Sequence, residues 1–283
     1  MSMYASDYTL SELMCACIAR EIEDGDLVIL GSFTPLAYAA YILAKMTHAP
    51  NMCYVGYSAV DARPFRMSFT TSEAAATRGA AALWSMTECI NSIHCTGRGD
   101  VEAVSGAQVD KNGSINISVI GPYDKPVVRL PGGAGAPEVI KMHRKMIGYF
   151  PSHNNRTLVE KVDFITGTRY LISKEEREAA GLRPGPIRFI TNLAVMSLEE
   201  RDKPFVVESL HPGVTAEEVR KNTGFELRIP DNVPITEVPT VEQVTLLREQ
   251  IDPFGTREFD MKSGKERMQY LEELLKREWE LVG

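Results

Sequence analysis

The sequence predicts an α/β fold: an open, mostly parallel sheet flanked by helices, with an antiparallel meander and C-terminal helices. Over residues 8–56, helical patterns alternate with short apolar strands, an order typical of parallel sheets. From residue 185 the pattern changes to short strands separated by turns, which indicates antiparallel pairing.

The first elements also locate candidate binding turns. Helices are predicted from Thr9 or Ser11 and from Pro35, each followed by a buried strand, over residues 26–31 and 52–55. Ligands bind such sheets beyond the carboxyl ends of the strands. The turns at residues 31–34 and 56–59 are therefore candidate parts of a site.

A glycine-rich stretch follows a predicted hairpin. Asn112-Gly113 lies between two runs of alternating apolar and polar residues, a strong hairpin signal. A strand at residues 126–129 then leads into Gly132-Gly133-Ala134, before a helical pattern that begins at Glu138. Bare backbone N–H groups at such a loop can approach an anionic or carbonyl oxygen, so we expect either an active-site wall or a plain tight turn.

The remaining elements complete the predicted domain. An alanine-rich helix, a polar surface loop and a further strand are expected at residues 73–86, 149–156 and 162–166, and the meander at 187–190, 194–197 and 205–210. Residues 262–282 form an amphipathic helix that packs on a partner subunit or on its own domain. We therefore predict one domain over residues 1–260 with a helical extension over 261–283.

Composition excludes several classes of function. The 283 residues are 44% hydrophobic and carry a net charge of −7, with scattered Lys and Arg, so neither a nucleic-acid nor a membrane partner is expected. No signal peptide or membrane span is predicted, and the five cysteines have no framework spacing, which favours free thiols and a cytoplasmic location. The histidines are dispersed, so no metal site is predicted, and Cys95 is a weak candidate for a nucleophile.

The order of several short motifs resembles the B (β) subunit of glutaconate CoA-transferase, within the family I CoA-transferases. The resemblance covers residues 8–255. Its motifs are Asp24-Gly25-Asp26, Ala49-Pro50, residues 105–110 (Ser-Gly-Ala-Gln-Val-Asp), Asn112-Gly113, Gly132-Gly133-Ala134, residues 211–214 (His-Pro-Gly-Val), residues 222–225 (Asn-Thr-Gly-Phe) and Ile251-Asp252-Pro253.

The resemblance implies an acyl-CoA enzyme made of two kinds of subunit. The partner would be a homologous α (A) subunit, in an α2β2 assembly with active sites at the subunit junctions. No cofactor would be bound permanently, because coenzyme A is part of the thioester substrate. The backbone N–H groups of Gly132, Gly133 and Ala134 would stabilise charge on the thioester oxygen, worth about 3–4 kcal/mol for one donor.

One departure from the family affects the expected reaction. In transferases of this family, a glutamate in the turn after the second strand attacks the thioester. Here, counting back from Asp61 places Gly56 at that position, and counting forward from Ala49-Pro50 places Tyr57 there. Neither residue carries a carboxylate, and Asp61 is the nearest acid.

The sequence leaves three functions open. The first is a subunit that hydrolyses, ring-opens or decarboxylates a CoA thioester; the second is a transferase with a displaced carboxylate, such as Asp61; the third is a non-catalytic scaffold for an active α subunit. The polar candidates to line a substrate pocket are Tyr54, Tyr57, Ser58, Thr70 and Gln108. For each of them, packing or turn hydrogen bonding is the competing explanation.

Overall fold

The computed structural model describes residues 3–31, 33–56, 58–63, 66–69, 73–169, 173–183, 185–200 and 203–282. Its contacts divide the chain into two compact units. Unit 1 comprises residues 1–84 and 238–283, and unit 2 comprises residues 85–237. None of the helices in the described part of the chain combines the length and the hydrophobicity that a membrane span requires. The predicted division at residue 260 stays a prediction.

The helices and strands are numbered along the chain. The helices are α1 (Leu10–Arg20), α2 (Pro35–Met46), α3 (Met86–Cys89), α4 (Ala136–Met142), α5 (Lys174–Ala179), α6 (Ala216–Lys221), α7 (Val241–Thr245) and α8 (Gly264–Val282). The strands are β1 (Leu27–Ile29), β2 (Cys53–Val55), β3 (Ala59–Val60), β4 (Ala82–Leu83), β5 (Val101–Val104), β6 (Gln108–Asp110), β7 (Ile115–Asn116), β8 (Val119–Ile120), β9 (Val128–Arg129), β10 (Lys145–Phe150), β11 (Leu158–Val159), β12 (Ile187–Thr191), β13 (Ala194–Leu198), β14 (Phe205–Leu210) and β15 (Leu227–Arg228).

Unit 1 is built on strands β1 to β4, which lie side by side in chain order. β1 pairs with β2 in parallel, whereas β3 pairs with both β2 and β4 in antiparallel fashion. α1 begins with the predicted cap, because the Thr9 hydroxyl accepts from the Glu12 N–H while the Glu12 carboxylate accepts from the Thr9 N–H. α2 begins at Pro35, as predicted.

A buried charge network lies beneath α1 in unit 1. The Glu12 side chain is 0% exposed and accepts hydrogen bonds from Arg248 Nε at 2.8 Å and Arg257 Nη2 at 2.9 Å. Arg257 also contacts the buried Asp252 carboxylate at 2.9 Å. Burial alone raises the pKa of Glu12, but hydrogen bonds from Arg248 and the Thr9 N–H outweigh it and hold that pKa below its usual range. Three separate segments of unit 1 are thereby joined by paired charges.

Removing Arg257 should destabilise the protein strongly. We expect Arg257→Met to lower the free energy of unfolding by about 3–5 kcal/mol, because Glu12 and Asp252 would keep buried charges with fewer partners. The control is Glu266→Gln, which breaks the exposed Lys262–Glu266 pair at 2.7 Å and should cost under about 1 kcal/mol. Urea denaturation measures both. Equal losses in the two variants would contradict a stabilising role for the network.

Unit 2 contains the predicted mixture of parallel and antiparallel strands. Its main strands lie in the order β15-β14-β13-β12-β10-β5. β5, β10 and β12 are parallel, while β12, β13 and β14 form the antiparallel meander. The apolar side chains of these strands form one core, which includes Phe150, Phe189 and Phe205. The parallel strands, the flanking helices, the meander and the C-terminal helix confirm the predicted fold class.

Two small sheets shape the glycine-rich end of unit 2. β6 and β7 form the predicted hairpin, with Val109 opposite Ile115 and with Gly113 at φ 72° in its turn. β11 joins β6 on its other edge. β8 and β9 pair separately, and β9 leads into the glycine-rich loop.

Three local predictions are wrong. Residues 73–86 form a short 3-10 helix (Ala74–Thr77) and β4 rather than one helix, because Gly79 at φ 67° reverses the chain between them. Residues 162–166 form no regular strand. The Asp163 carboxylate accepts from the Gly121 N–H and the Thr166 hydroxyl accepts from the Ile117 N–H, so side chains take the place of backbone pairing in this segment. The loop expected at 149–156 starts later, because Tyr149 and Phe150 are buried at the end of β10.

Candidate functional site

The turn after β2 is closed by its own backbone. The Gly56 N–H donates to the Ala59 carbonyl at 2.9 Å, and the Ala59 N–H donates back to the Gly56 carbonyl at 3.4 Å. The Trp84 indole N–H also donates to the Gly56 carbonyl, at 3.1 Å. Gly56 is therefore the first residue after the strand and is held in a defined position, where the resemblance places the transferase nucleophile in one of its two registers.

There is room for a side chain at position 56. A Cβ built on Gly56 would lie 3.7 Å from the Tyr54 hydroxyl oxygen, an ordinary contact distance, and the backbone there has no positive φ. Burial raises the pKa of Tyr54 well above its usual value, so the phenol is neutral and can donate a hydrogen bond. The missing carboxylate is thus a property of the sequence and not of the space around the turn.

Of the residues predicted to line a substrate pocket near this turn, the structure describes Tyr54 and Ser58. Tyr54 stacks on Tyr38 with 5.8 Å between ring centroids, which fixes its ring in the interior of unit 1. Ser58 is half-buried, and its carbonyl accepts from the Trp84 N–H at 3.3 Å. Tyr57 and Thr70 lie outside the described residues, so their predicted roles stay predictions.

Asp61, the nearest acid, is already paired with two basic side chains. Its carboxylate contacts Lys45 Nζ at 2.9 Å and Arg63 Nη2 at 3.3 Å. Burial raises the pKa of Asp61, but the hydrogen bond and charge of Lys45 outweigh it and lower that pKa overall. Lys45, Arg63 and Tyr54 also line a cavity of about 310 Å³ in unit 1. A carboxylate paired in this way is a weaker nucleophile than a free one, because attack would first have to break two ion pairs.

In unit 2, the three residues of the glycine-rich loop have different backbone roles. Gly132 has φ 98°, and its N–H donates to the Ile117 carbonyl at 2.9 Å. That hydrogen bond corrects the expectation for Gly132, since its N–H is not available to a substrate oxygen. Ala134 has φ 44°, an uncommon conformation for a residue with a side chain.

Gly133 and Ala134 retain the features that an oxyanion site needs. Among the described residues, no acceptor is present for the N–H of either one. Two adjacent N–H groups without acceptors can both donate to one oxygen. Gly133 itself has no positive φ, but a Cβ there would lie 2.5 Å from Thr166 Cγ2. The position therefore requires glycine because of close packing and not because of a left-handed backbone.

Gln108 has a structural role. Its Oε1 accepts from Asn116 Nδ2 at 2.8 Å and from the Asp163 N–H at 3.0 Å, and its Nε2 donates to Asp163 Oδ2 at 3.3 Å. The side chain is buried, and these contacts join the β6–β7 hairpin to the irregular segment that follows β11. This arrangement supports the competing explanation for Gln108, hydrogen bonding within the fold, and its place in a substrate pocket stays a prediction.

Comparison with known proteins identifies the family. The sequence matches the coenzyme A transferase family over residues 12–222. It is 34% identical over 245 residues to the B subunit of 3-oxoadipate CoA-transferase from Pseudomonas knackmussii, covering 86% of this chain and 93% of the relative. It is also 29% identical over 262 residues to the IpdB subunit of the cholesterol ring-cleaving hydrolase from Rhodococcus jostii, covering 91% and 98%.

A solved structure gives the same result for the fold. The decarboxylase AibA/AibB superposes with a TM-score of 0.78 at 26% identity, covering 89% of this chain and 98% of the matched chain. The family match spans most of the chain, and the first relative is similar over nearly its whole length. The chain therefore belongs to the coenzyme A transferase family, as the order of its motifs indicated.

Proposed function

We propose that this chain is the B subunit of an enzyme that hydrolyses, ring-opens or decarboxylates an acyl-CoA without forming an enzyme-bound glutamyl ester. The observation that carries the proposal is the turn after β2, where Gly56 stands in place of the nucleophile in one register and Tyr57 in the other. Glycine has no side chain, and a tyrosine near its ordinary pKa of about 10 is a poor acyl acceptor at neutral pH.

The surroundings of the turn support this proposal. A Cβ fits at position 56 beside Tyr54, yet the sequence supplies no glutamate there. Asp61 is held by Lys45 and Arg63, so its carboxylate is committed to ion pairs. Coenzyme A enters as part of the substrate, and no permanently bound cofactor is needed for attack by water on a thioester.

The Gly133-Ala134 backbone of unit 2 is proposed to stabilise charge on the thioester oxygen. Attack on a thioester, or electron withdrawal during C–C cleavage, builds negative charge on the carbonyl oxygen. The two N–H groups without acceptors in the described residues are suited to stabilise that charge. This stabilisation does not depend on which nucleophile attacks, so it would serve a hydrolase or a lyase as well as a transferase.

A partner subunit would supply the general acid or base. The 3-oxoadipate CoA-transferase relative and the IpdB relative are each one subunit of an enzyme, and AibA/AibB is a pair, which supports a homologous α subunit for this chain too. We propose an α2β2 assembly with active sites at the subunit junctions. The catalytic acid or base would come from the α chain, since the described residues of the β2–β3 turn carry no carboxylate and Asp61, directly after β3, is held in two ion pairs.

The second candidate is a true CoA-transferase with a displaced carboxylate. It is favoured by the 34% identity to a subunit of a 3-oxoadipate CoA-transferase. Besides Asp61, Glu73 is a candidate, because burial and then the negative charge of Glu73 raise the pKa of Tyr38, whose ring stacks on Tyr54. A transferase of this kind would still require a carboxylic acid as acceptor, and that requirement separates the two candidates.

The experiment tests whether turnover requires a carboxylic acid as acceptor. The purified complex of this chain with its α subunit is incubated with a panel of CoA thioesters that have linear, cyclic or carboxylated acyl groups, with and without added acetate and succinate. We expect multiple turnovers without any added acid, seen by mass spectrometry as free acid and CoA, a ring-opened acyl-CoA or a decarboxylated acyl-CoA. Turnover that stops after one equivalent and resumes on addition of an acid would overturn the proposal in favour of the transferase.

A further inference from the structure

Three polar side chains meet in the interior of unit 2, and one of them follows the end of α4 opposite to the glycine-rich loop. His94 ends a π-helical turn (Ile90–His94), Glu102 lies in β5, and His143 directly follows α4. Their exposed fractions are 0%, 4% and 0%. Three separate elements thus bring two imidazoles and one carboxylate together in the interior.

Their separations do not correspond to hydrogen bonds. Glu102 Oε2 lies 3.7 Å from His94 Nδ1 and 3.7 Å from His143 Nδ1, beyond hydrogen-bond distance. Among the residues that the structure describes, Glu102 Oε2 and both ring nitrogens of His143 have no hydrogen-bond partner. Buried polar atoms are nearly always satisfied, so this cluster calls for a ligand that the protein alone does not provide.

We propose that His94, Glu102 and His143 bind one first-row divalent metal ion, with Zn²⁺ as the best match. One ligand atom from each side chain lies within 4.8 Å of the others. Nitrogen and carboxylate ligands lie about 2.0–2.2 Å from Zn²⁺, so two donors on one ion are at most roughly 4.4 Å apart. The two 3.7 Å separations from Glu102 meet that limit, and the ligand atoms of the two imidazoles lie within 4.8 Å of each other.

Small ring rotations would complete the site. The two imidazoles are nearly parallel, with 5.1 Å between their centroids and 11° between their planes, so each ring must turn slightly to point its lone pair at a shared ion. Two nitrogens and one oxygen suit Zn²⁺, Co²⁺ or Fe²⁺ better than Ca²⁺ or Mg²⁺, which prefer all-oxygen sites. The ion would join β5 to the end of α4, the helix that follows Gly133 and Ala134.

Metal content of the intact complex tests the proposal. The complex of the full chain with its α subunit is treated with chelator, loaded with Zn²⁺ and freed of excess, and its metal is counted by inductively coupled plasma mass spectrometry. We expect wild type to hold about one Zn²⁺ per chain more than Glu102→Gln or His143→Gln. The control His48→Gln removes an exposed imidazole of unit 1 and should retain the ion.

Two further measurements guard against misfolded variants. In wild-type complex, Co²⁺ should give a visible d–d spectrum that Zn²⁺ displaces, and Zn²⁺ should raise the melting temperature after chelation. In variants that still assemble, Zn²⁺ affinity should fall by more than roughly 10–100-fold. That range is the usual cost of losing a group that only hydrogen-bonds to a metal ligand. Wild type that binds no Zn²⁺ or Co²⁺, or that binds no more than the Glu102→Gln complex, would overturn the proposal.

Discussion

Replacing Gly133 with valine should lower turnover of the assembled complex by about 10²–10³-fold, the loss expected when one oxyanion donor is displaced. The reason is steric, because even a Cβ at this position would lie 2.5 Å from Thr166 Cγ2. Thr166 cannot retreat easily, since its hydroxyl accepts from the Ile117 N–H at 2.9 Å and contacts the Ser118 hydroxyl at 2.7 Å. The loop must move instead, and its N–H groups move with it.

Gly135→Ala is the matched control for this experiment. It lies two residues further along the same loop, its φ is −81°, and nothing lies within 4 Å of its added Cβ. We expect near wild-type turnover for Gly135→Ala, and for both variants the same elution volume with the α subunit. If Gly133→Val assembles and turns over at the wild-type rate, the loop is a plain turn and its role as an oxyanion site is wrong.

Much of the fold could be predicted because local chemistry determined it. The Thr9–Glu12 capping box, Pro35 at the start of α2 and the Asn112-Gly113 hairpin each depend on residues close in sequence. The helix expected over the alanine-rich stretch at 73–86 was wrong, because composition favoured a helix while one glycine, Gly79, adopted a left-handed backbone that composition does not reveal.

The candidate site was less predictable because it depends on distant partners. Three consecutive loop residues look equivalent in sequence, but Gly132 donates to Ile117 and Gly133 packs on Thr166, contacts set by neighbouring segments. Gln108 belongs to a matching motif, yet its bonding groups are taken up by Asn116 and Asp163. The His94, Glu102 and His143 cluster has no motif spacing, so only the packing of unit 2 reveals it.

Introducing a carboxylate after β2 should create the ester that the native chain lacks. We expect Gly56→Glu to form a detectable glutamyl-CoA ester when acyl-CoA is added, because its Cβ fits beside the Tyr54 hydroxyl without strain. The neutral Tyr54 phenol would orient the new carboxylate by donating a hydrogen bond. Trypsin digestion and mass spectrometry would locate the adduct on the peptide that contains position 56.

Matched variants identify the register. Gly56→Gln has the same size as Gly56→Glu and no nucleophilic oxygen, so it should form no ester. Tyr57→Glu tests the second register, and we expect an ester in one of the two glutamate variants but not in both. Failure of both variants to react, with the complex assembled and active, would contradict the position assigned to the turn in the active site.

The central claim is that the native chain forms no covalent ester with its substrate. The most direct measurement is peptide mass spectrometry of this chain after the wild-type complex has turned over acyl-CoA, with and without borohydride, which reduces such an ester. We predict unmodified peptides over residues 54–61 and over Glu73, retained activity after borohydride, and accumulation of free acid, CO₂ or a cleaved product. A CoA adduct or a reduced residue at Asp61, at Glu73 or elsewhere in residues 54–61, together with inactivation, would contradict the claim and assign the chain an ordinary transferase mechanism.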